Sequence, residues 1–199
     1  MKHLFSKTYF VPALGLAFLA FCSSTAMAAG TTPIALSFTA TTLETLVMPV
    51  DPAVCPASTG AFAVGVISGN GTLTASIGGS KNSITIPITL MATDCPTQSY
   101  NFSNGNLTLT ALNGEKLTAI YNGSLYPSAF GANGKPIALS INNGAFTITG
   151  GTGYFAGVFG SGQLFGTEDI TVSPALGTFG GKGTVAFSKG DFVKRYNLD

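Results

Sequence analysis

Through most of this chain apolar and polar residues alternate with a period of two, the spacing of a strand with one face on a core. Ile34, Leu36 and Phe38 alternate with smaller residues, and this predicts a first strand. Residues 51–60 hold Pro52, Pro56 and Gly60 and predict a loop around Cys55, and Phe62 to Ile67, apolar on both parities, predicts a buried strand. Ile84, Ile86, Ile88 and Leu90 share one face of another strand, where Pro87 implies an edge or a bulge. Further on, Leu107, Leu109 and Ala111 share a parity, as do Leu117, Ala119 and Tyr121, then Ile137, Leu139 and Ile141, then Phe146 and Ile148. Pro127 and Gly131 predict a short or bulged strand between them, Ile170-Thr171-Val172 reads as a strand, and 177–188 as a closing strand pair.

Five Asn-Gly pairs punctuate the middle of the chain, at Asn104, Asn113, Asn122, Asn133 and Asn143, spaced 9, 9, 11 and 10 residues apart. Such pairs accept positive φ at two successive positions, as a two-residue hairpin turn requires. They predict an antiparallel meander of strands of 7 to 9 residues, and Asn70-Gly71 is a sixth pair of the same kind. Residues 150–166 carry glycine at seven of seventeen positions, which marks the bends and bulges a barrel needs. No window has helical periodicity. The expected fold is all-β, an antiparallel meander closed into a roughly eight-stranded barrel, because closure removes free sheet edges.

The N-terminus changes the picture of where this fold works. Lys2 and Lys7 precede an apolar run, Val11 to Phe21, too short to span a bilayer, and Ala26-Met27-Ala28 is a small-x-small cleavage site. Residues 1–28 are expected to be a secretory signal and 29–199 one barrel domain, exported to periplasm, cell surface or medium, with no transmembrane span after signal removal. Cys22 as a lipidation site is disfavoured by the bulky Phe21 before it. Two cysteines remain, Cys55 and Cys95, and in an exported chain they are expected to form a disulfide. Closing a loop of that length stabilises by about 4 kcal/mol.

Taking Lys2 and Lys7 from the nine Lys+Arg leaves seven against eight Asp+Glu, a charge of −1, which gives no attraction to nucleic acid. The only histidine, His3, lies in the signal, so a Ser-His-Asp or Cys-His arrangement and a histidine-bearing zinc site are excluded from one mature chain. No phosphate-binding or dinucleotide fingerprint sits between a strand and a helix. No cofactor or metal is expected. What remains is carboxylate, lysine or tyrosine chemistry, or none. Of the eight carboxylates only Glu168-Asp169 are adjacent. A solvated turn is the plain reading of that pair and a calcium ligand pair the alternative.

The stretch Phe146 to Gly157, FTITGGTGYFAG, carries more than turn information. It resembles the GGTG-x-F-x-G signature shared by plant dirigent proteins and allene oxide cyclases, and the likeness covers about residues 105–188. The resemblance implies an eight-stranded antiparallel barrel with an apolar internal cavity, in which Gly150, Gly151, Gly153 and Gly157 serve the strand turn. Dirigent proteins usually carry an arginine just after the GGTG, where this chain has Tyr154, and the one mature arginine is Arg195. The charged cavity residues of dirigent activity find no matched positions, so the fold transfers and the activity does not.

The leading functional expectation is an exported barrel without a cofactor that binds an apolar small molecule or serves as a secreted or surface structural protein. Eleven mature phenylalanines could line a cavity or fill a core. Candidate cavity or mouth residues are Tyr154, Phe155, Phe159, Tyr121 and Glu115, with no catalytic residue assigned. A dirigent- or cyclase-like enzyme, which steers a reactive molecule by shape and water exclusion, is one alternative. A fimbrial or adhesive subunit is a second, although residues 192–199 lack an alternating final strand. An outer-membrane barrel is a third, at odds with the short expected strands. Oligomeric state stays open.

Overall fold

The computed structural model describes residues 33–77 and 82–187. The signal reading of 1–28, Ser188, Arg195 and residues 192–199 lie outside them. Eight antiparallel strands follow one another around a closed barrel: β1 (Ile34–Val47), β2 (Val64–Ile77), β3 (Ser83–Pro96), β4 (Asn101–Ala111), β5 (Lys116–Phe130), β6 (Pro136–Gly151), β7 (Val158–Asp169) and β8 (Ala175–Phe187). Closure comes from β1, which pairs with β2 on one side and β8 on the other, Ile34 standing opposite both Ile77 and Val185. Two short 3₁₀ turns, Ala57–Thr59 and Gly153–Phe155, are the only helical segments among the described residues.

The strands run 11 to 16 residues, longer than the Asn-Gly spacing predicts. Only two of the five pairs are turns. At both, the loop has three residues: Ala111 N–H bonds to Glu115 O and Gly114 takes φ +84°, while Gly131 N–H bonds to Lys135 O and Gly134 takes φ +73°. The asparagine side chain closes each loop by accepting from the backbone two residues on (Glu115 N–H, 3.2 Å; Lys135 N–H, 3.0 Å). This is a type I turn with a left-handed glycine after it, not the two-residue turn expected. Asn104-Gly105, Asn122-Gly123 and Asn143-Gly144 fall inside β4, β5 and β6 at register shifts, with Asn104 and Asn143 at φ +52°. Asn70-Gly71 continues β2 without a break. Asparagine tolerates the left-handed region at a bulge as readily as in a turn, and a long coiled strand needs bulges to close a barrel.

Two other expectations change. Residues 177–188 supply one strand rather than a pair, because Gly180-Gly181 runs straight on. Gly181 faces inward, where the Phe38 and Phe146 rings fill the space a side chain would take. Ile170-Thr171-Val172 is a turn, organised by Asp169 Oδ1, which accepts from the Thr171 N–H at 2.8 Å and its hydroxyl at 2.6 Å. The strand holding Pro127 is bulged but not short. Pro87 sits just beyond the last β3–β4 pair, Ile88 with Ala111, where β3 overhangs its neighbour and its missing N–H costs no ladder bond on that side.

The inward parity builds one core from Ile34, Leu36, Phe38, Leu73, Leu90, Leu107, Leu117, Phe146 and Val185, all nearly inaccessible. Aromatic rings plug the middle: Phe38 meets Phe146 edge-on at 5.9 Å and Phe179 at 6.1 Å, and Tyr121 meets Phe179 at 5.6 Å and Phe102 at 5.9 Å. The outer face carries threonines, which pair across strands through their hydroxyls (Thr74 with Thr85, 3.1 Å; Thr149 with Thr118, 3.2 Å). The same outer face also exposes Leu43, Met91, Ile120 and Phe165, so it mixes hydroxyl and apolar groups. No helix among the described residues is long and apolar enough to cross a membrane.

Candidate functional site

At one end of the barrel, here termed the mouth, lie the C-termini of β1, β3, β5 and β7 and the N-termini of β2, β4, β6 and β8. The inward parity of three strands ends there on acids. Glu44 follows Phe38, Ala40 and Thr42 along β1. Asp94 follows Ile88, Leu90 and Ala92 along β3, and Glu168 follows Leu164 along β7. Tyr121 rises from β5 beneath them. Its hydroxyl donates to Asp94 Oδ2 at 3.0 Å, a buried bond, while Asp94 Oδ1 has no partner. Asp94 is 5% exposed. Gly65 on β2 makes room for the acids: a Cβ there would collide with Asp94 Oδ1 and Glu44 Oε1.

Glu44, Asp94 and Glu168 line a cavity of about 50 Å³ whose other walls include Ile67, Phe102, Leu139, Ile141 and Phe179. Glu44, Glu168, Pro96, Leu125 and Leu139 also border a wider groove of about 310 Å³ that leads outward past Leu46, Phe62, Tyr100 and Ile170. The barrel is therefore filled through its middle and hollow at the mouth. The combined space falls in the range of small-molecule sites, about 300–1,000 Å³.

Burial sets the protonation of the cluster. Desolvation raises Glu44 to about 9, helped by the charges of Glu168 and Asp94 and by a hydrogen bond to Glu168. Asp94 is raised to about 6, chiefly by burial, with the Tyr121 hydroxyl opposing the rise and the Glu168 charge adding to it. Burial also raises Glu168, against the hydrogen bond from Glu44 that favours its ionised form. Tyr121 is held well above its ordinary range by burial and the adjacent Asp94. At neutral pH the site thus holds a protonated Glu44 beside an ionised Asp94, two carboxyls with their proton affinities pushed apart.

The Cys55–Cys95 disulfide is formed and stands directly behind this site. Cys95 follows Asp94 but faces outward, where residues 50–61 cover it: Val50, Val54 and Ala61 pack on Cys55, Val64 and Cys95, and the Asn104 side chain donates to Val54 O at 2.5 Å.

Of the candidates drawn from sequence, only Tyr121 belongs to the mouth. Glu115 lies in the β4–β5 turn at the opposite end, with Oε2 buried and unpartnered and Oε1 against Gly153. Phe155 is buried in the core at that same far end, Tyr154 packs half-buried against the core, and Phe159 is half-buried near the start of β7. Tyr154, Phe155, Phe159 and Glu115 are therefore not mouth residues. Gly150 and Gly151 end β6, and Gly153 at φ +59° and Gly157 at φ +76° lie in its connection to β7. Glu168, expected to solvate a turn beside Asp169, instead points inward while Asp169 holds the turn. Glu44 and Asp94 escaped notice although their parity with Phe38 and Leu90 already placed them on the core face. Among the described residues no group of acids, histidines or cysteines is arranged to hold a metal ion.

The fold and site define a closed eight-stranded barrel with an acid-lined, otherwise apolar mouth. No family model, curated protein or solved structure matches this chain.

Proposed function

We propose that this protein is an exported small-molecule-binding barrel that takes up, at its mouth, a ligand with a largely apolar body. The observation that carries this reading is the half-buried Glu44 and Glu168 and the buried Asp94, bonded to Tyr121, lining a cavity that opens to an apolar groove, in a barrel whose remaining interior is packed with aromatic rings. Gathering carboxyls where the lining among the described residues holds no cation costs stability, and a core that needed only to fold would carry apolar residues there. The signal-like N-terminus and the disulfide support export. Continuous pairing around the barrel leaves a fimbrial subunit without the open edge that strand donation uses.

Native mass spectrometry of the mature protein purified from its own compartment tests the reading. A bound small-molecule mass is expected, released on denaturation and lost when Leu125→Trp fills the groove. An empty wild-type protein, or a bound mass indifferent to Leu125→Trp, overturns it.

A second reading, a dirigent- or cyclase-like enzyme, is favoured by one observation: a protonated acid and a tyrosine-bonded carboxylate face one cavity, as general acid–base chemistry requires. In that case Asp94→Asn would keep the bound mass but leave it chemically unconverted. Identical recovered molecules from both proteins would exclude the enzyme.

A further inference from the structure

We infer that the ligand's polar end is a protonated amine, seated between Glu44 and Glu168 with Asp94 behind them, and that its apolar body lies along the groove of Leu46, Phe62, Tyr100 and Ile170. This rests on the mouth being the ligand site. Three acids converge there, and among the described residues neither the deep cavity nor the groove has a lysine or arginine in its lining. One of the acids, Asp94, is 5% exposed and keeps an oxygen without a hydrogen-bond partner among the described residues, so those residues do not satisfy the cluster. At neutral pH Glu44 keeps its proton beside Glu168, while Asp94 is ionised. An ammonium head supplies three donors to the same oxygens and one positive charge to replace a shared proton. An anionic head would meet like charge in a low-dielectric pocket. A hydroxyl head could bond but would leave the charge of Asp94 uncompensated. Glu44 and Glu168 border both the cavity and the groove, so a head at the acids continues naturally into a body along the apolar walls.

Binding of an ammonium head then expels a proton from the Glu44–Glu168 pair into solvent, with the amine keeping its own. Isothermal titration of the mature, disulfide-bonded protein with octylamine, octanol and octanoate at pH 7, in two buffers of different ionisation enthalpy, tests this. Octylamine is expected to bind at least about tenfold more tightly than octanol, with a buffer-dependent heat that reports proton release, and octanoate not to bind. In Asp94→Asn and Glu168→Gln, each checked for native far-UV dichroism, the preference for amine over alcohol should shrink. Octanol or octanoate binding as tightly as octylamine overturns the amine assignment and leaves the mouth a ligand site. Failure of all three to bind overturns both.

Discussion

Glu44 makes stability fall with rising pH, and Glu44→Gln should remove that dependence. The group is raised from its ordinary 4.5 to about 9 in the folded protein by burial and by the neighbouring acids. The native state therefore holds a proton that the unfolded chain releases across that interval. Its contribution is full below the unfolded pKa and disappears as pH rises through about 9. Between pH 7 and pH 9 the linkage relation integrates to a loss of roughly 2 kcal/mol from this one group. Asp94, raised only to about 6, has already lost most of its contribution by pH 7, and Tyr121 begins to matter only above its ordinary range. Glutamine mimics the protonated acid, keeps a donor for Glu168 and cannot ionise. Urea unfolding followed by far-UV dichroism at pH 7 and pH 9, at constant ionic strength and with the disulfide intact, reads the difference. Wild type should lose roughly 2 kcal/mol, or about 5–9 °C in melting temperature, while the variant stays nearly flat. Parallel losses in both proteins, or a wild type that strengthens toward pH 9, would refute the placement of Glu44 as a buried, proton-holding acid.

Replacing Cys55 and Cys95 together by serine should lower unfolding free energy by about 4 kcal/mol, as urea denaturation would register, and unchanged stability would mean the loop is held without the bond. Gly153→Ala forces a side chain onto a left-handed backbone and into the Glu115 carboxyl, so a loss of about 1–3 kcal/mol is expected in the same assay. Tyr121→Phe removes the one hydrogen bond to Asp94, which should raise the carboxyl's midpoint further in a carbon-detected NMR titration and cost about 1–3 kcal/mol; a lowered midpoint would contradict the assigned donor.

The all-β class, the inward parity of β1, β3, β4, β5 and β6, the disulfide partners and the bends of the GGTG segment were legible in residue order, because each follows from local chemistry: side chains alternate along a strand, two cysteines outside the signal-like segment have one pairing to make, and glycine accepts φ values other residues resist. The same parity that put Leu90 and Phe38 inside also put Asp94 and Glu44 inside. What residue order left ambiguous was the part played by each Asn-Gly pair. Asn113 and Asn133 close loops while Asn104 and Asn143 bulge strands, although the dipeptide and its backbone tolerance are the same, since only the pairing of neighbouring strands distinguishes a turn from a bulge. The site, too, was a tertiary outcome. Glu44, Asp94, Tyr121 and Glu168 lie on four strands that are far apart in sequence, and only closure of β8 onto β1 brings β7 and β1 to the same wall of the mouth. Their altered proton affinities arise from burial and mutual charge, which exist only once the barrel has closed.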